Sequence, residues 1–234
     1  MSELFSQVGL IDIHSDLTRN IVSLRISENL FDDLTEDTEA WQSAQQLESD
    51  TKPKIFTNET PVIHRPFEES EWNMAIGFPF LNSAQSRYSD GAYGVWYGAG
   101  DLETTVYETV HHWKTKLLSD AEGFLKPGVS IERKVYLVRC DSALIDLRPL
   151  VQKYPETCYP DDYTATHAIG RKMHHEGHPG LVNKSARCEG EVYAVFTPDV
   201  LSNARHTCFL TYITTDKGVD IQKIPGKKWM TISD

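Results

Sequence analysis

Four short runs with strand character constrain the fold of this chain more than any other feature. They are YGVWYGAG (93–100), RKVYLVRC (133–140), EVYAVFTP (191–198) and TCFLTYITT (207–215), each rich in β-branched and aromatic residues. In the first, Val95, Tyr97 and Ala99 share one face and Trp96 takes the other; in the second, Val135 and Leu137 alternate with Tyr136 and Val138. Helical patterns stand between them. One opens after Asp101, a good N-cap with Glu103 in the first turn, and carries Leu102, Val106, Val110, Trp113 and Leu117 on one stripe. The other, YTATHAIGRKMHHEGHPG, runs along Ala165, Ile169 and Met173 and stops at Gly177. Strands interleaved with helices predict an α+β fold: a mixed β-sheet core with flanking helices.

Residues 1–59 are acidic and poor in strand signals. They predict a mostly helical extension docked on a main domain at 60–234, with Leu30, Phe31 and Leu34, then Trp41, Ala44 and Leu47, at helical spacing. TKPK and NETP are breakers that separate this part from the rest. No basic segment followed by an apolar run opens the chain, and no stretch approaches a membrane span, so a cytoplasmic protein is expected.

Charge narrows the function classes. Against 34 acids stand 23 basic residues, a net charge of -11, which argues against a nucleic-acid partner. An anionic ligand must therefore find local positive groups inside a repulsive field. The cysteines, Cys140, Cys158, Cys188 and Cys208, form no C-x-x-C pair; reduced thiols are expected rather than disulfides or a zinc site.

The helix after Asp101 holds the strongest chemical signal. At about 100° per residue, Glu108 falls nearly opposite the Leu102/Val106/Val110 stripe, beside Thr104, His111 and His112. A solvated face would carry Lys and Glu there, not Thr and His. Tyr97 leads into this helix through Gly98-Ala99-Gly100, read as a turn where backbone can approach a ligand closely. Other constellations fail. HHEGH (174–178) is one residue short of H-E-x-x-H and reads as a polar helix end, so no metal site is expected. No G-x-G-x-x-G opens a helix, and no G-x-S-x-G is present.

Arg87, Tyr97 ten residues later, Glu108 eleven beyond that, and Ser185 in GHPGLVNKSARCEGEVYAVFTP form an ordered series. With GVWYGAGDLETTVYET, this series resembles the RES domain family over roughly residues 60 to 210. The resemblance implies an ADP-ribosyltransferase-like fold and a toxin of a bacterial toxin–antitoxin pair that degrades NAD. NAD is then a substrate, with no resident cofactor and with inorganic phosphate as a candidate co-substrate. Members break the nicotinamide–ribose bond, and water, phosphate or a protein side chain takes the ADP-ribosyl group. Glu108 would stabilise the oxocarbenium-like ribose, Arg87 would clamp the pyrophosphate, Tyr97 would stack and offer its hydroxyl, and Ser185 would hold ribose or Glu108.

Arg65, Tyr88, His111 and His112 are the further substrate-binding candidates, with Arg19 and Arg25 as rivals of Arg65. The family also implies an Xre-type antitoxin that blocks the site. A homodimer stays open, and the long N-terminal part departs from the shortest members. Two alternatives stand beside NAD degradation: mono-ADP-ribosylation of a protein target, and a non-catalytic nucleotide-binding module that kept the fold.

Overall fold

The structure, a computed structural model, describes residues 2–23, 71–118 and 126–233. Its first long element corrects the helical reading of the N-terminus. After a one-turn helix α1 (Ser2–Phe5), Gly9–Val22 forms strand β1, which pairs antiparallel along its whole length with β5 (Ser130–Asp146). Ile11, Ile13 and Leu17 turn to the core while Asp12, His14 and Ser15 face outward. A strand with one wet face carries polar residues at alternate positions, and those acids disguised the pattern. Residues 9–22 thus belong to the main sheet and not to a helical extension. The helical spacing from Leu30 to Leu47 lies outside the described residues.

The remaining strands are β2 (Gln85–Ser86), β3 (Ser89–Asp90), β4 (Trp96–Ala99), β6 (Gly180–Lys184), β7 (Glu191–Val195), β8 (Leu201–Thr215), β9 (Gly218–Ile224) and β10 (Lys227–Ser233). Among the described residues the α-helices after α1 are α2 (Phe78–Leu81), α3 (Leu102–His112) and α4 (Thr164–His175). β2 and β3 make a small hairpin, and the other strands share one mixed sheet. β1 meets β4 at Thr18 and Ala99, β4 pairs β7, β7 pairs β6, and β6 runs parallel to the end of β5 at Leu181 and Ile145. The set β1-β4-β7-β6-β5 therefore closes on itself, while β8, β9 and β10 continue outward from β5. β5 can serve both because it is long: Ser130 to Cys140 pair with β8 and its last residues with β6. Register shifts at Val135/Tyr136 and Leu137/Arg139 each put one extra residue on β8 against β5.

Most of the described residues of both helical stripes are buried, with Leu102 and Ala165 half-buried. Val106 and Val110 of α3, with Trp113 just after it, pack on Val135, Leu210, Tyr212 and Ile221. Ile169 and Met173 of α4 pack with Tyr88, Leu181 and Ala194. Gly177, at φ 76°, terminates α4, and the N–H groups of Gly177 and His178 donate to the carbonyls of His174 and Met173. HHEGH is accordingly a capped helix end. The four cysteines are free thiols. Among the described residues no helix is long and apolar enough to cross a membrane.

Candidate active site

β1, β4 and α3 surround a pocket of about 330 Å³ lined by Thr18, Arg19, Asn20, Ser86, Arg87, Tyr97, Gly98, Ala99, Thr105, Glu108, Thr109, His112 and Val192. α3 points Glu108 into it because the opposite stripe is committed to the core. Asp101 starts the helix as expected, accepting from the Thr104 N–H at 2.8 Å and from the Thr104 hydroxyl at 2.7 Å. Thr104 and Thr105 are buried too, so the polar side of α3 is a packed surface rather than a solvated one.

The turn that follows β6 brings Ser185 to this helix across 77 positions of sequence, and its hydroxyl donates to Glu108 Oε1 at 2.6 Å. The serine oxygen in turn accepts the Arg187 N–H at 3.0 Å, while the Ser185 N–H closes the turn on the Gly190 carbonyl at 2.8 Å. One Glu108 oxygen is thereby fixed. Glu108 is the one carboxylate among the described lining residues.

Arg87 lines the pocket with its guanidinium held by the loop before α4. It donates to the carbonyls of Tyr159 at 2.7 Å and Pro160 at 3.3 Å, and lies 4.8 Å from the Tyr163 ring centre. A guanidinium has five donors, so others remain for a ligand. The Tyr97 hydroxyl accepts from the Tyr88 N–H at 2.9 Å and donates to the Ser86 hydroxyl at 2.9 Å. Burial pushes the Tyr97 phenol well above its ordinary value, so it stays a neutral donor.

Arg19 forms the pocket's other cationic wall. Its Nη1 donates to the Tyr97 carbonyl at 2.6 Å and its charge sits 5.4 Å from the Trp96 ring centre. Its Nε is buried without a partner. Burial first, and the like charge of Arg133 second, push this guanidinium below its usual value. Arg19 therefore brings to the pocket a half-buried cation with no carboxylate partner among the described residues.

Arg87, Tyr97 and Glu108 converge on one pocket, and Ser185 is bonded to Glu108 at its side. His112 lines the pocket. His111 lies beside it, its Nε2 2.7 Å from Arg187 Nη2. Tyr88 is a correction. It is fully buried, its hydroxyl accepts from the Asn183 amide at 3.0 Å, and it serves the site through its backbone bond to Tyr97 rather than by touching a ligand. Gly98-Ala99-Gly100 is corrected as well: Gly98 and Ala99 are strand residues paired with β7, and only Gly100 is left to turn. Gly98 lacks a side chain because a Cβ would come within 2.4 Å of the Trp96 ring. Arg65 and Arg25 lie outside the described residues, which leaves Arg19 as the candidate second arginine that demonstrably lines the pocket. Asn20, Ser86, Thr105 and Thr109 were not foreseen. They sit beside residues that were, on β1, β2 and α3. Among the described residues no group of three metal-ligating side chains is found.

The fold and site define an α+β protein whose pocket sets one braced carboxylate against two arginines. A family model described as RES domain matches residues 62–215, and the chain belongs to that family. The match excludes β1, whose Arg19 nonetheless completes the pocket. Among solved structures, the chain is similar to one in the crystal structure of the M. tuberculosis MbcT–MbcA toxin–antitoxin complex, with 11% identity, a TM-score of 0.47, and coverage of 88% of this chain and 90% of that one. No curated protein matches the chain.

Proposed function

We propose that the protein is an NAD-cleaving toxin that breaks the bond between nicotinamide and ribose C1′. The observation that carries this reading is the Glu108 carboxylate, fixed by Ser185 in a pocket whose other charges are the arginines Arg19 and Arg87. When nicotinamide leaves, it takes the bonding electron pair and departs neutral, and positive charge develops at C1′ and the ring oxygen. A preorganised carboxylate stabilises that charge without having to move. Glu108 also orients the incoming acceptor and takes its proton.

The arginines suit the anionic half of the substrate, Arg19 from β1 and Arg87 from the segment before β3. At about 330 Å³ the pocket is at the small end of ligand sites, about 300–1,000 Å³. It therefore encloses the reacting nicotinamide riboside part and leaves the adenosine end outside. Tyr97, half-buried and apolar in its ring, provides a surface for the nicotinamide, while its hydroxyl is engaged in holding the loop with Arg87. A toxin of this kind is kept silent by a partner that covers the pocket, and an Xre-type antitoxin is the partner we propose.

The test is nicotinamide release from NAD by the purified protein, with and without inorganic phosphate, beside Glu108→Gln. Release that collapses in the variant supports the reading, and strict phosphate dependence names phosphorolysis over hydrolysis. No release under either condition overturns NAD cleavage with a small acceptor and leaves ADP-ribosylation of a protein, or simple nucleotide binding, to be tested.

A further inference from the structure

A second buried guanidinium lies under the pocket floor. Arg133, on β5, is only 6% exposed, and among the described residues no carboxylate pairs with it. Among the described residues its hydrogen bonds go to one neighbour: Nε donates to Asn20 Oδ1 at 2.9 Å and Nη2 to the Asn20 carbonyl at 2.8 Å. Its charge stands 5.7 Å from the Tyr212 ring centre. Burying a cation without a counter-ion is costly, and an uncharged Gln or Met would fill such a position more cheaply.

What the arrangement achieves is visible in Asn20. With its oxygen committed to Arg133, the amide nitrogen must face the other way, and it donates to Tyr212 Oη at 2.9 Å and Thr105 Oγ1 at 3.2 Å, with Thr109 Oγ1 at 3.4 Å. Thr105 and Thr109 stand on α3, on the same pocket wall as Glu108, and Arg19 is the residue next to Asn20. The two guanidiniums feel each other: the Arg133 charge is one of the causes that lower Arg19. An anion held above them would relieve both.

We propose that Arg133 is a positioning residue for the anionic part of the substrate, acting through Asn20 and through its own unneutralised charge beneath the floor. Asn20 locks β1 against α3, so the cationic wall and the carboxylate keep a fixed separation. The pyrophosphate of the dinucleotide is then bound over two buried charges, of which only Arg19 touches it. This inference rests on the NAD reading above.

The experiment compares wild type, Arg133→Lys and Arg133→Met in two assays: steady-state nicotinamide release, and calorimetric titration with inorganic pyrophosphate in the absence of turnover. Thermal melting first establishes that each variant is folded. Arg133→Met is expected to raise KM for NAD on the order of tenfold with kcat within about twofold, the pattern of a lost binding contribution. It is expected to weaken pyrophosphate binding in proportion. Arg133→Lys restores the charge without the fork to Asn20 and falls between the two.

A folded Arg133→Met with KM and pyrophosphate affinity both within about twofold of wild type overturns the proposal. So does a fall in kcat at unchanged KM, which would assign Arg133 to the packing of α3 alone. If Arg133→Met does not fold, Arg133→Lys decides, and a wild-type KM in that variant overturns the inference. Should the wild type release no nicotinamide, the NAD reading fails by itself. The pyrophosphate titration then still decides whether Arg133 serves an anion.

Discussion

At the scale of single residues, the bond between Ser185 and Glu108 is the point on which the site turns. The serine gives its one proton to the carboxylate and accepts the Arg187 N–H, so it cannot rotate without losing both partners. Ser185→Ala frees the carboxylate to choose another rotamer. A hydrogen bond to a charged group contributes about 1.5–3 kcal/mol, which as lost transition-state positioning is roughly a 10–100-fold fall in kcat. KM should barely move, and steady-state nicotinamide release reads the split; an unchanged kcat would mean that the helix alone positions Glu108. Tyr97→Phe makes a different prediction. It leaves the Tyr88 N–H without its acceptor, a loss of about 1–3 kcal/mol for a buried donor, measured as a lower urea midpoint. Its effect on activity should follow the displacement of Arg87 and so appear in KM. The ordered series Arg87, Tyr97, Glu108 and Ser185 was legible in the sequence only as a whole, through an order and spacing that resemble the RES domain family; each member alone is a weak signal. The partnership of Asn20 and Arg133 was not: 113 positions separate them, and nothing local marks either as the other's partner.

Secondary-structure elements were legible where burial is one-sided and uninterrupted. α3 and α4 declared themselves by apolar stripes and end signals, and β4, β5, β7 and β8 by aromatic and β-branched runs. β1 was missed because its outward residues are acids and a histidine, and β6, β9 and β10 because they are short or share their positions with lysines. The close approach of elements is even less visible in sequence. Gly190 illustrates it: a Cβ there would lie 1.8 Å from Thr104 Oγ1, so the turn that carries Ser185 can rest on the first turn of α3 only because position 190 has no side chain. Gly190→Ala must push the turn off the helix. Overpacking of this kind costs about 1–3 kcal/mol, and the displaced Ser185 should take activity with it. Asp101→Ala, by contrast, removes a cap worth about 1 kcal/mol at the same end of α3 without crowding the turn. Melting curves of the two variants should therefore be similar, while nicotinamide release falls much further in Gly190→Ala. Equal activities would show that the turn tolerates displacement.

For the whole molecule the governing quantity is charge. The chain carries -11 overall, yet the described pocket presents Arg19 and Arg87 to a ligand, with Arg133 beneath. In the proposed reaction the substrate, NAD, is an anion at neutral pH and has to cross a repulsive field before it meets a favourable one. Salt acts unequally on the two. The long-range repulsion is screened beyond a Debye length of about 10 Å at 0.1 M ionic strength, whereas buried or partly buried contacts are screened much less. Steered enzymes lose kcat/KM steeply as salt rises; this one should gain. We expect kcat/KM for NAD to rise between about 10 and 150 mM salt, with kcat flat, because only the approach is affected. Neutral nicotinamide, titrated as an inhibitor over the same range, should show a constant inhibition constant, since it feels no net field. A monotonic fall in kcat/KM would mean that the arginine-lined mouth, rather than the acidic surface, dominates the potential along the route of entry.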